Sequence, residues 1–183
     1  DAGFFLKLLN EHYGNVYNEK ELEELAMKVG SDVPFFIKNK TARVGGKGNK
    51  VELVENNLKD SLILVKPLGF GVSTKDAYNS FDELDEVRYA NFEKIVECLR
   101  NDNRKDLEKY IENGLEQGIS ERNADIKIFK AILNSVVPGK KFFMSGSGST
   151  YYTFVTEIER SQIETRLRTF VDNVKIIISK TIN

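Results

Sequence analysis

The strongest constraint on the fold is the order in which the apolar period changes along the chain. At the start, apolar residues recur at spacings of three and four: Phe4, Phe5, Leu8 and Leu9 mark a first helix, capped after Tyr13 by Gly14. Asn18, followed three residues later by Glu21, has the form of a capping box. It opens a second helix whose buried stripe is Leu22, Leu25, Ala26 and Val29, and which stops at Gly30. Ser31-Asp32-Val33-Pro34 then forms another helix entrance, because Pro suits the first turn and Ser or Asp can accept orphan backbone N–H groups. Phe35, Phe36 and Ile37 continue that short helix.

From Thr41 the pattern changes. Thr41-Ala42-Arg43-Val44 and Val51-Glu52-Leu53-Val54 read as two short strands around the loop Gly45-Gly46-Lys47-Gly48-Asn49. Leu62-Ile63-Leu64-Val65 is a buried strand ended by Pro67. After a loop over 69–73, Thr74 caps a short helix through Tyr78, and 79–86 is a polar surface connection. Helical spacing marks 87–99, 105–117 and 122–135, with breaks at Asn101-Asp102-Asn103, Gly118 and Pro138-Gly139. Phe142-Phe143-Met144 enters the loop Ser145-Gly146-Ser147-Gly148-Ser149, and the strand over 151–155 leaves it. A helix over 159–170 and a strand over 174–178 complete the order. Strands gathered around a block of helices predict an α+β sandwich: a mainly antiparallel sheet with helices on one face. No fixed-period repeat or low-complexity tract interrupts it.

Charge limits the function classes. With 27 Lys+Arg against 28 Asp+Glu, the formal net charge of -1 excludes a nucleic-acid cradle driven by bulk charge. No apolar run approaches the ~20 residues that span a bilayer, and the first 30 residues lack the basic, apolar and small-residue blocks of a leader. The expectation is a cytoplasmic protein without membrane or nucleic-acid partners. Cys98 is the single cysteine, and its place among Phe92, Ile95, Val96 and Leu99 makes it a buried helical thiol. His12, the lone histidine, falls on the polar side of the first helix beside Glu11, and no Cys/His set has metal-ligand spacing.

Oxygen chemistry and glycine loops remain. Asp32 lies at a helix entrance, where backbone N–H groups would hold its carboxylate in one place. Such a residue is a helix cap or, beside a phosphate site, a base that orients a hydroxyl nucleophile. The 145–150 loop can supply that site, because its glycines permit positive φ and close approach of N–H groups to an anion. It also reads simply as a hairpin turn. Lys47 in the earlier glycine loop is a second possible phosphate contact.

In chain order, four stretches carry a resemblance to the GHMP small-molecule kinases: Asp1-Ala2-Gly3, Gly30-Ser31-Asp32-Val33-Pro34-Phe35-Phe36, the segment from Lys66-Pro67 through Gly71-Val72-Ser73-Thr74-Lys75-Asp76-Ala77-Tyr78, and Met144-Ser145-Gly146-Ser147-Gly148-Ser149-Thr150. The third resembles the branch that acts on a diphosphocytidyl-methylerythritol in non-mevalonate isoprenoid synthesis. The resemblance implies ATP and Mg²⁺ as cofactors and a substrate bearing a cytidine diphosphate group. It makes Asp32 the base toward the substrate hydroxyl, and Tyr78, with Thr74 beside it, the cytosine-stacking segment. Ser145, Gly146, Ser147 and Gly148 become the motif near the phosphates, with Lys47 as a further contact. It also implies an N-terminal remnant over 1–60 and a C-terminal domain over 61–183.

Members of this family carry a further glycine-rich ATP loop before the residues matching Asp1-Ala2. The segment taken alone is therefore expected to be inactive, and to self-associate through surface that the preceding region would cover. The rival readings are another GHMP kinase, acting on homoserine, a sugar or a mevalonate-type alcohol, and a non-catalytic α+β ligand-binding module.

Overall fold

The computed structural model describes residues 1–181, which divide into two compact units, Asp1–Asn56 and Asn57–Thr181. The first unit holds helices α1 (Ala2–His12), α2 (Glu19–Val29) and α3 (Val33–Lys38), followed by the antiparallel pair β1 (Ala42–Gly45) and β2 (Lys50–Leu53). The capping box of α2 is complete: Asn18 N–H donates to Glu21 Oε2 at 2.8 Å, and Glu21 N–H donates to Asn18 Oδ1 at 3.1 Å. Leu22, Ala26 and Ile37 form the small core, with Leu6 and Val33 packed against it.

The buried face of α1 is not the stripe its apolar spacing predicts. Phe4, Phe5 and Leu8 are exposed, whereas Gly3 and Asn10 are buried. Two contacts set this rotation. Gly3 lies so close to α3 that a Cβ there would meet Phe36 Cβ at 2.7 Å and Val33 O at 2.8 Å. Asn10 is tied to the chain after the helix, its Nδ2 donating to Tyr17 O and its Oδ1 accepting from Tyr17 N–H, both at 2.9 Å.

The second unit is built on a four-stranded antiparallel sheet in the order β4-β5-β3-β6, from β3 (Ser61–Pro67), β4 (Phe143–Met144), β5 (Tyr151–Val155) and β6 (Val174–Lys180). The central strand β3 pairs Val65 with Tyr151 on one side and with Ile176 on the other. Its helices are α4 (Thr74–Asp82), α5 (Phe92–Arg100), α6 (Arg104–Tyr110), α7 (Gly114–Arg122), α8 (Ala124–Val136) and α9 (Glu157–Phe170).

Strand alternation separates two cores. Ile63, Val65, Met144, Tyr151 and Val155 join Phe129 and Leu133 of α8 and Ile163 and Leu167 of α9 in the main one. Leu62, Phe143, Tyr152 and Phe154 turn the other way, to Cys98 of α5 and Leu107 of α6. The expected helical layer on one face is thus α8 and α9, and α5 and α6 cover part of the other. Burial pushes the Cys98 thiol upward, consistent with a buried packing residue.

The helix boundaries differ from expectation in several places, the stretch over 87–99 being helical only from Phe92, where Asn91 supplies the cap. The stretch over 105–117 is two helices, parted at Ile111-Glu112-Asn113, because Asn113 caps a new start. Gly118 does not break a helix but lies buried within α7. A Cβ on it would stand 2.6 Å from both the carbonyl carbon and oxygen of Ser80, so its bare Cα is what allows α4 to approach. The polar stretch after Tyr78 is correspondingly helical to Asp82, with Ala77 and Ser80 buried against that contact. Among the described residues no helix is long and apolar enough to cross a membrane.

Candidate functional site

In the second unit the structure brings two of the sequence candidates together. Ser73, rather than Thr74, caps α4, its Oγ accepting from Asp76 N–H at 3.4 Å. Thr74 becomes the first helical residue and its hydroxyl is released from capping. It meets Ser147 Oγ at 3.2 Å, joining the start of α4 to the glycine loop. Tyr78 follows four residues later on the same helical face and is 54% exposed, so its ring is open to a flat ligand.

The loop between β4 and β5 closes with Ser145 N–H donating to Thr150 O at 2.8 Å and Gly148 N–H donating to Ser145 O at 3.0 Å. Gly146 and Gly148 have φ of +56° and +86°, the left-handed region in which glycine carries no Cβ penalty. Gly148 also lies against the Met144 thioether, where a Cβ would meet Sδ at 2.6 Å. The N–H groups of Gly146 and Ser147 donate to nothing among the described residues. A turn with two such donors, beside two hydroxyls, has the chemistry to receive a phosphate oxygen.

Two residues outside the sequence motifs, Asn113 and Glu116, hold this loop from behind. Asn113 Nδ2 donates to Met144 O at 2.8 Å and to Gly146 O at 2.9 Å. Glu116 Oε2 accepts from Met144 N–H at 3.2 Å, while its Oε1 takes Lys130 Nζ at 2.6 Å. The available signal was the Asn-x-x-Glu spacing of a capping box. In the structure Asn113 does cap α7, but Glu116 turns to the loop and not back to the cap. Asn113 and Glu116 also line a cleft of ≈ 600 Å³ with Arg88, Glu112 and Lys130.

In the first unit Asp32 stands at the entrance to α3, exposed, and its carboxylate is not fixed by backbone N–H groups as expected. The reason is local. Asp32 adopts φ -86° and ψ -12°, a helical conformation unlike the extended one a capping residue needs, and Pro34 in the first turn offers no N–H. Its carboxylate makes no hydrogen bond or ion pair among the described residues. Lys47 is exposed on the β1–β2 turn, its backbone N–H donating to Asn49 Oδ1 at 3.0 Å. Gly48 of that turn packs directly on the Ser31 carbonyl, in the space a side chain would fill, so the turn abuts the segment that leads into Asp32.

The loop donors and the Thr74–Ser147 hydroxyl pair suit phosphate oxygens. No group of three His, Cys, Asp or Glu residues gathers among the described residues, so they form no ready cation cage. A magnesium ion, which needs only one or two carboxylates when phosphates supply the rest, would be held chiefly by a bound triphosphate.

Comparison with models of known protein families finds no match. The chain is 78% identical, over all 183 residues, to a curated 4-diphosphocytidyl-2-C-methyl-D-erythritol kinase of Fusobacterium nucleatum, covering 62% of that protein. It is 32% identical over 169 residues, 89% of its own length, to the protein of the same name from Clostridium botulinum strain Loch Maree, covering 58% of it. Among solved structures, a 4-(cytidine 5'-diphospho)-2C-methyl-D-erythritol kinase matches the whole chain and 63% of its own, at a TM-score of 0.76 and 22% identity. A homoserine kinase from Cytophaga hutchinsonii matches 96% of the chain and 61% of its own, at a TM-score of 0.67 and 17% identity. These two structural likenesses speak for the fold alone. The chain spans about three fifths of the length of the curated relatives it matches. Over its whole length the chain is thus similar to part of the curated 4-diphosphocytidyl-2-C-methyl-D-erythritol kinases, and it shares the fold of the two solved kinases.

Proposed function

We propose that this protein transfers the γ-phosphoryl group of ATP to a hydroxyl of 4-diphosphocytidyl-2-C-methyl-D-erythritol, a step of non-mevalonate isoprenoid synthesis. The observation that carries the reading is the meeting of Thr74 and Ser147, at 3.2 Å, which sets the Tyr78 face of α4 beside a glycine loop with unused N–H groups. The exposed Tyr78 ring can stack on cytosine, and the loop can receive phosphate oxygens. ATP with Mg²⁺ supplies the phosphoryl group and offsets its charge.

Asp32 is the base of this reaction. Its carboxylate has no competing partner among the described residues and can take the proton of the substrate hydroxyl. As that oxygen bonds to the γ-phosphorus, the bond to the β–γ bridging oxygen breaks and ADP leaves. Lys47, on the turn that abuts Ser31, is the further phosphate contact that the resemblance to these kinases implies.

The test is to assay the full-length protein with ATP and, as acceptors, the diphosphocytidyl substrate, homoserine and mevalonate. Phosphorylation of the first alone is expected. Asp32→Asn is expected to lower kcat by about 100-fold or more while nucleotide affinity stays near that of the parent. Turnover unchanged by Asp32→Asn would remove Asp32 from the mechanism. A preference for homoserine or mevalonate would overturn the substrate assignment.

A further inference from the structure

We infer that Asn113 is a positioning residue for the 145–149 loop, setting the direction in which Ser147 N–H faces. This inference rests on the kinase reading above and adds to it a residue that never touches the ligand. Every hydrogen-bonding position of the Asn113 amide is used. Oδ1 accepts from Leu115 N–H at 3.0 Å and Glu116 N–H at 3.3 Å, and Nδ2 donates to the carbonyls of Met144 and Gly146. Oδ1 faces two N–H groups and Nδ2 faces two carbonyls, so the orientation of the amide is fixed by its neighbours.

The consequence follows from the planar trans peptide, in which C=O and the next N–H point in opposite directions. Drawing the Gly146 carbonyl toward Asn113 turns Ser147 N–H away from α7. Drawing the Met144 carbonyl the same way is matched by Ser145 N–H, which bonds across the turn to Thr150 O. Glu116 takes the N–H of Met144, so α7 grips both polar groups of that residue, its Lys130 pair holding the carboxylate in turn. The glycines would otherwise leave the loop many conformations, and only some of them aim its donors at one point. Asn113 thus selects the anion-receiving shape before the anion arrives, lowering the ordering cost of binding.

The test uses the full-length enzyme and two substitutions of the same kind. Asn113→Asp keeps an oxygen that can cap α7 but turns the two donors into an acceptor facing two carbonyls. Asn123→Asp is the control, since Asn123 caps α8 through Oδ1 at 3.1 Å from Ile126 N–H and has no contact with the loop. The readout is KM for ATP, because partial unfolding lowers apparent kcat without moving KM. Asn113→Asp is expected to raise KM for ATP about tenfold, and Asn123→Asp to leave it within about twofold. Should Asn113→Asp fail to accumulate, Asn113→Ser, which retains a capping oxygen and adds no charge, takes its place with the same expectation. A KM for ATP within twofold of the parent, in an active variant that has lost both donors, overturns the inference. Absence of ATP-dependent turnover in the parent enzyme overturns the kinase reading instead.

Discussion

Replacing Gly118 with alanine sets a local preference against a tertiary one. In the interior of an exposed helix the change is favourable by about 1 kcal/mol, because alanine loses less conformational freedom than glycine. In α7 the new Cβ would lie 2.6 Å from Ser80 C, 2.6 Å from Ser80 O and 2.7 Å from Phe81 N, all backbone atoms of α4. None can swing aside as the end of a side chain would, so α4 must shift bodily. Overpacking of this kind costs about 1–3 kcal/mol, and three backbone contacts put Gly118→Ala at the upper end. The net expectation is a loss of about 2 kcal/mol. For a domain of roughly 150–250 residues that lowers Tm by about 4–8 °C, read by circular dichroism or by the urea midpoint at constant slope. Gly114→Ala is the comparison in the same helix, since its Cβ would meet the ring of Phe81 at 2.5 Å, a group that can rotate. It should cost about 1 kcal/mol less than Gly118→Ala. Because α4 carries Thr74 and Tyr78, Gly118→Ala in the full-length protein should also raise KM for the diphosphocytidyl substrate. A Tm for Gly118→Ala equal to or above that of the parent would refute the close α4–α7 contact, and with it the reason glycine stands there.

Two further outcomes are expected. Burial opposes the charge of Glu159, but Lys140 at 2.8 Å, the Thr156 N–H at 2.9 Å and Arg104 at 3.0 Å outweigh it and hold the carboxyl down to about 2. Its folded value lies below the ordinary one, so its stabilisation is present above about pH 4.5 and is lost as pH falls toward 2. Full conversion of the shift would give about 3 kcal/mol, which partial exposure of the side chain reduces to about 1–2 kcal/mol. Asp60 and Glu108 behave oppositely, since burial pushes both upward despite Arg104. The informative quantity is therefore parent minus Glu159→Gln in urea unfolding: about 1–2 kcal/mol at pH 7, falling to less than half by pH 3, with a pH-independent difference counting against the network. At the proposed substrate face, Tyr78→Phe should leave KM for the diphosphocytidyl substrate within about twofold and Tyr78→Ala should raise it about tenfold, as loss of an aromatic stack requires. Equal effects of the two would point to the hydroxyl and not the ring.

The legibility of the sequence varied with how local each signal was. The capping box at Asn18 and Glu21 formed as its spacing predicts, because both partners lie within one turn. The same spacing at Asn113 and Glu116 is masked by a longer apolar period, and its second half is diverted by Met144, more than 25 residues away. Asp32 shows the converse. Its neighbours Ser31 and Pro34 spell a helix start correctly, yet the side chain does not cap, because the same proline removes a donor and Asp32 is already helical. Phe4, Phe5 and Leu8 repeat at helical spacing and still face outward, since the rotation of α1 is set by the fit of Gly3 on α3 and by the Asn10–Tyr17 pair.

By itself the sequence determined the type of element at most places, the antiparallel α+β class and the motifs that carry the likeness to GHMP kinases. Those rest on period, turn chemistry and short spacings, all written within a few neighbouring residues. Tertiary structure alone decided that Gly118 is a packing surface, that Thr74 is free to reach Ser147, and that the glycine loop is held by Asn113 and Glu116. Each depends on backbone brought together from distant parts of the chain, where the absence of one Cβ or the aim of one amide decides the outcome and leaves no local trace.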